Sequence, residues 1–245
     1  MSFITLVYHE FRNDHYDDSK PSHIDVASKY ADILPLPLFT RIQDFENQIK
    51  YLVEENYYFM SVSDMIAYYD GERELPEKSV FLTFDDAFQS VYHYAYPILK
   101  KYNLHGAMFV VSGWLHEEPS KFDESISKVM SRSELLAMHD VFEFCNHTDV
   151  LHEREGAKGI IQLTDEEALL HDLEECSKYV DYPEVFAYPF GFYDENVINI
   201  FENSNINFAF TTNFGKNNQD ENRYELNRNV VEYKITDRQF KELVK

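Results

Sequence analysis

Cationic side chains are scarce in this chain: 22 Lys and Arg stand against 44 Asp and Glu, a net charge of −22 with histidine neutral. Binding to a phosphate backbone relies on Lys and Arg to neutralise phosphates, so no nucleic-acid partner is expected. Cysteine is nearly absent. Cys145 ends an apolar stretch and Cys176 lies in a more polar one, which reads as two free thiols rather than a bridge and leaves the compartment open. Long apolar runs are missing as well. The first one, residues 3–7, has no basic segment before it and stops at Tyr8-His9-Glu10, far short of a signal peptide or a membrane span. A soluble protein with no membrane span is expected, cytoplasmic as written and extracytoplasmic if an export signal has been removed. No internal repeat or low-complexity linker divides the 245 residues, so 1–245 is expected to form one domain.

Aromatic residues, by contrast, are abundant. The 18 Tyr and 20 Phe exceed what packing alone usually demands, so some can wall a sugar site while most fill the core. Periodicity supplies the architecture. Residues 3–7 read as a buried strand, 13–38 as a long polar loop ending in Pro punctuation, and 41–55 as an amphipathic helix. After Ser61 or Ser63 as N-cap comes a helical turn through 65–69, then an apolar strand at 79–84 and a helix at 91–102. Strands at 107–111, 141–145, 185–188, 208–211 and 229–231 alternate with helices starting near Ser131 or Ser133, Thr164, Glu195 and Thr236. Such alternation implies an α/β fold with a parallel sheet, open or closed into a barrel. Working residues then belong just past the C-terminal ends of strands.

That rule selects candidates. Asp85 and Asp86 follow the strand 79–84 directly, and neighbours at a strand end can face different ways, one toward a metal and one toward substrate. The same pair would also suit helix capping. His147 and His152 follow the strand 141–145, on the same rim if the sheet is parallel. At i, i+5 on a regular helix they would point about 140° apart, so both reach one ion only from a loop or irregular turn. One carboxylate and two imidazoles form a three-ligand site with open positions, and the other Asp is then available as general base beside an activated water.

Thr83-Phe84-Asp85-Asp86, the stretch His147-Thr148-Asp149-Val150-Leu151-His152, and Ala187-Tyr188-Pro189-Phe190-Gly191 resemble, in order and spacing, successive motifs of the polysaccharide deacetylases, carbohydrate esterase family 4. The i+5 histidine spacing and Tyr8-His9 are most similar to the branch that deacetylates poly-β-1,6-N-acetylglucosamine, a biofilm polymer. The resemblance runs from about residue 3 to residue 231. It implies a distorted (β/α) barrel with fewer than eight complete units, one divalent metal ion, and an acetylated glucosamine polymer or oligomer as partner. Zinc is the expected metal, with cobalt, nickel and iron as alternatives. It further implies that Asp85 is the base, that Asp86, His147 and His152 bind the metal, that the Phe190 N–H supports the oxyanion, and that His9 is the general acid. Pro189 and Gly191 would shape the turn that presents this N–H.

Two positions depart from the family pattern. Ala87 stands where Gly is usual, which removes an unhindered positive φ, and Ala187 stands where many members carry an Arg that orients the base. Arg228 is the substitute candidate, with a surface charge as its competing reading. Trp114 suits either a sugar subsite or the core, and His23 in the early loop could touch substrate. The resulting expectation is a hydrolase that removes N-acetyl groups. The alternatives are an O-acetyl esterase or small-amide deacylase using the same site, and a sugar-binding protein weakened by Ala87 and Ala187.

Overall fold

The computed structural model describes residues 1–28 and 30–245. One sheet of nine strands organises the chain: β1 (Phe3–Tyr8), β2 (Tyr58–Phe59), β3 (Ser79–Asp85), β4 (Gly106–Val110), β5 (Phe142–Asn146), β6 (Tyr182–Ala187), β7 (Phe208–Phe210), β8 (Lys216–Asn217) and β9 (Asn229–Val230). Its order is β7-β6-β5-β4-β3-β1-β8, with β2 beside β3 and β9 beside β1. Only the β1–β8 pairing is antiparallel. Every residue of β1, β3 and β4 is buried, the pattern of parallel strands covered on both faces.

Helices α1 (Ile42–Glu54), α2 (Val62–Tyr69), α3 (Tyr96–Lys101), α4 (Arg132–Leu136), α5 (Glu166–Ser177), α6 (Glu195–Glu202) and α7 (Asp237–Leu243) complete the alternation. The way α1 packs illustrates why. Phe45, Ile49 and Leu52 recur on one face and are fully buried, each contributing about 1.5–3 kcal/mol by leaving water. Phe45 meets Tyr8 edge-on at 5.0 Å and Phe11 at 4.9 Å, so Phe45→Ala would open the layer between α1 and the sheet.

The curled sheet is a distorted α/β barrel, and an irregular segment bridges its two edges. Leu226 bridges to Phe210 on one edge, while Asn229 and Val230 pair with Leu6 and Val7 of β1 on the other. Residues 223–230 thus span the gap between β7 and β1, with the Arg228 N–H donated to the Asn213 carbonyl inside the span.

Three local expectations need correction. The early loop carries short strands: Ser22–Asp25 pairs with Ile33–Leu34 and with Ser127–Lys128, an arrangement too brief to leave a periodic signal. The stretch 91–102 opens as a π turn, Val91–Ala95, before becoming α3. Pro97 accounts for the change, because it has no N–H to return to His93 and the ladder must widen. The cap of α5 is Asp165, whose carboxylate accepts the Ala168 N–H at 2.9 Å, whereas the Thr164 hydroxyl donates to the Ile160 carbonyl.

Candidate active site

Strand register decides which side chains share a rim. Tyr8 is level with Phe84, Asp85 with Phe109, and Val110 with Asn146. The residues just beyond, His9, Asp86 and His147, are therefore delivered to one end of the sheet by three separated segments. Between β5 and β6 the register slips after Cys145, and Asn146 faces Phe186. That slip carries the Ala187 carbonyl to the His147 ring, where Nδ1 lies 2.7 Å from the oxygen. A carbonyl only accepts, so Nδ1 carries the proton and the Nε2 lone pair is left available.

Asp86, His147 and His152 converge. Nε2 of His147 is 3.6 Å and Nε2 of His152 is 3.4 Å from Oδ1 of Asp86, and donor atoms from all three lie within 4.8 Å of one another. All three are buried, and Asp86 Oδ1 has no hydrogen-bond donor among the described residues. Burial, and then the neighbouring Asp85 charge, push the Asp86 carboxyl well above the usual carboxylate range. Burial also lowers His147 to about 4 and His152 well below its ordinary value, so both rings are neutral and able to ligate. An unpartnered buried carboxylate oxygen facing two neutral imidazole nitrogens fits a divalent cation, which supplies the charge this site otherwise lacks.

The i+5 spacing converges because the 147–152 loop is not helical. Thr148 takes φ 79°, reversing the chain directly after His147. The loop is then held from two sides. Gly113 N–H donates to the Asp149 carbonyl at 3.0 Å, in a contact so close that a Cβ on Gly113 would lie 2.7 Å from that oxygen. From the other side the Asp172 carboxylate of α5 accepts the N–H groups of Asp149, Val150 and Leu151 at 2.8, 2.8 and 3.1 Å. Sequence reasoning missed Asp172, one acid among several in an acidic helix. The usable signal was its place between Leu169, Leu173 and Cys176 on the buried face.

Asp85 is directed elsewhere. Its Oδ1 accepts from Nη1 of Arg228 at 2.6 Å, and its Oδ2 lies 3.6 Å from Nε2 of His9. Burial alone would raise this carboxyl, but the Arg228 guanidinium, joined by His147 and His9 at the acid pH where those rings are protonated, outweighs it and holds Asp85 at about 2, ionised. Arg228 is itself buried, donates from Nε to the Thr211 carbonyl at 3.0 Å and lies over the Phe109 ring. The surface-charge reading of Arg228 is therefore wrong, because barrel closure carries it inward. Burial lowers His9 to about 4 against the pull of Asp85, so its ring is neutral at rest.

Phe190 lies in the turn Pro189–Gly191 with φ 59°, a strained conformation costing a bulky residue about 1–2 kcal/mol. Gly191 follows at φ 72°, where any Cβ would collide with the Thr212 side chain. Ala87 also takes a positive φ, 54°, next to Asp86 at 69°. An alanine at this positive φ carries strain that a glycine would not.

These groups line a pocket of about 320 Å³ whose walls include Tyr30, Trp114, Tyr188 and Phe192. Trp114 is both core and wall: it is buried, stacks on Tyr30 at 4.9 Å and meets the His152 ring edge-on at 4.5 Å. At the mouth Arg154 reaches Asp32 at 3.4 Å and lies over the Phe190 ring. His23 is exposed and does not line this pocket. Both cysteines are buried and free.

A barrel with carboxylate and imidazole groups gathered at the C-terminal ends of its strands defines an α/β protein with a hydrolase-type rim site. Comparison with known proteins names the class: the polysaccharide deacetylase model matches residues 72–209, more than half of the chain, and the chain belongs to that family of hydrolases. A poly-β-1,6-N-acetyl-D-glucosamine N-deacetylase of Staphylococcus aureus is 28% identical over 209 residues, covering 82% of this chain and 69% of that protein. Among solved structures, a polysaccharide deacetylase from Bacillus cereus superposes with a TM-score of 0.76 at 22% identity, covering 100% of this chain and 69% of the other. IcaB from Ammonifex degensii gives 0.74 at 22% identity, covering 99% and 95%. Among the described residues no helix is long and apolar enough to cross a membrane.

Proposed function

We propose that this chain is a metal-dependent N-deacetylase that removes acetyl groups from a β-1,6-linked N-acetylglucosamine polymer, with residues 1–245 working as one catalytic domain. The observation that carries this reading is the Asp86–His147–His152 cluster with a second, ionised carboxylate beside it, in a chain similar to the staphylococcal poly-β-1,6-N-acetyl-D-glucosamine N-deacetylases. Asp86, His147 and His152 would hold one divalent ion, zinc by preference of two imidazoles and a carboxylate, with cobalt, nickel or iron able to replace it. When bound, such an ion acts as a Lewis acid on the amide carbonyl and lowers the pKa of water.

The chain's own residues do the rest. Asp85, kept ionised by Arg228, takes a proton from the attacking water as oxygen adds to the acetyl carbon. The Phe190 N–H supports the developing oxyanion, and the left-handed turn at Phe190 is strain of the kind found where a backbone donor must be aimed. The C–N bond then breaks and the amine nitrogen needs a proton. His9 is neutral at rest, so it receives the proton that Asp85 has gained, across the 3.6 Å between them, and delivers it to the amine. The second water proton remains on the acetic acid and passes to the freed amine, so acetate and a glucosamine ammonium leave. Tyr30 and Phe192 offer apolar faces to the sugar ring, with Trp114 stacked against Tyr30 as backing.

Acetate release from β-1,6-linked and β-1,4-linked N-acetylglucosamine oligomers, and from O-acetylated xylan, tests the reading. Faster release from the β-1,6 oligomer supports it. Release from the O-acetyl substrate alone would make the protein an esterase, and no release from any of them would leave a sugar-binding protein.

A further inference from the structure

We propose that Asp172 is a positioning residue that sets metal affinity without touching the ion: by accepting three successive N–H groups, it holds the 147–152 loop in the shape that lets His147 and His152 reach one centre. The inference rests on reading those histidines as ligands. Its geometry stands on its own. Oδ1 of Asp172 takes the Asp149 N–H, and Oδ2 takes those of Val150 and Leu151. Three donors converging from one loop call for a side chain that only accepts, with two oxygens, and a carboxylate is the shortest group that meets this.

The platform is rigid. Asp172 is buried in α5, whose Leu169 and Cys176 on the same face are fully buried. The Asn146 side chain donates to the Leu173 carbonyl at 3.0 Å, and the Cys176 thiol donates to the Val110 carbonyl at 3.3 Å. The helix is thus tied to the ends of β4 and β5, the strands that deliver the loop. Opposite Asp172, the N–H of Ser112 meets the Thr148 carbonyl at 3.2 Å and its hydroxyl meets Asp149 Oδ1 at 2.6 Å. The loop between the two histidines is gripped on its N–H groups from one side and on its carbonyls from the other. Without the first grip, the loop is held only as far as Asp149 by Ser112 and Gly113, and the N–H groups of Val150 and Leu151 that lead into His152 lose their acceptor.

A merely structural carboxylate would change folding stability and leave zinc affinity alone. The test therefore measures zinc affinity of the full chain by competition with a chromogenic chelator, and amide hydrogen exchange at residues 149–151 of the metal-free protein. Asp172→Asn turns one acceptor into a donor facing an N–H, so the three amides should lose protection and affinity should fall about 10–100-fold, the usual effect of groups that orient metal ligands. Asp172→Glu, which restores two acceptors, should recover part of both; it also serves as the variant read against wild type if Asp172→Asn does not fold, with reduced affinity then expected. A folded variant with faster exchange but unchanged zinc affinity would overturn the proposal. If wild type takes up no zinc, the reading of the histidines fails, and exchange alone then reads the clamp. Equal amide protection in wild type and variant would overturn the clamp as well.

Discussion

Arg228 and Asp85 are 143 positions apart in the chain and meet in a buried hydrogen bond of 2.6 Å. The segment that closes the barrel brings them together, so fold closure and the state of one carboxylate are a single structural event. Removing one partner of a buried pair leaves an uncompensated charge, typically about 3–5 kcal/mol. Arg228→Met should therefore lower the stability of the metal-free protein by about that amount in urea unfolding. The double variant with Asp85→Asn should recover part of the loss, because neither charge is then stranded. Additive losses would mean that the pair is not coupled.

The two adjacent aspartates should separate by role. Asp85→Asn is expected to keep the bound metal and lose turnover, while Asp86→Asn, His147→Ala or His152→Ala loses most of the metal. Elemental analysis of the purified variants decides. Equal metal loss in Asp85→Asn and Asp86→Asn would mean that the roles are shared or exchanged.

His9→Ala should lower kcat on an amide by about a hundredfold to ten-thousandfold, the range for general acid catalysis, with metal content little changed. An ester, whose leaving group needs less help, should suffer less. Near-full amide turnover by the variant would make His9 structural.

Far from the pocket, Asp64 supplies a pH-dependent part of stability. Burial opposes its ionisation, but the Tyr58 hydroxyl at 2.6 Å, the Ser61 N–H and Arg73 outweigh burial and hold it below the ordinary 3.8. A depressed carboxylate stabilises the fold above its unfolded pKa, and the contribution is lost as pH falls through the folded value. The difference in Tm between wild type and Asp64→Asn should accordingly be full at neutral pH and shrink below about pH 3.8. A constant difference across that range would exclude the ionised form as its source.

Legibility differed by residue. Asp86, His147 and His152 could be found because each follows an apolar strand within a few positions, and strand ends are where parallel folds expose chemistry. The strand and helix alternation was readable because the central strands β1, β3 and β4 are fully buried, largely apolar runs. Arg228 was harder: only closure of the barrel through residues 223–230 shows that its side chain turns inward. Asp172 was missed because an acid on a helix with four other acidic residues looks solvated, although its place between Leu169, Leu173 and Cys176 puts it on the buried face. The strands Ser22–Asp25 and Ile33–Leu34 escaped because they are too short to show a period.

Metal titration of turnover bears most directly on the proposed chemistry. Protein stripped by chelation and given zinc in steps should release acetate from a β-1,6-linked N-acetylglucosamine oligomer at a rate that rises to a plateau at one equivalent, with His147→Ala inert at that level. Full turnover by the stripped protein, or a rate indifferent to added metal, would contradict a metal-dependent deacetylase built on Asp86, His147 and His152.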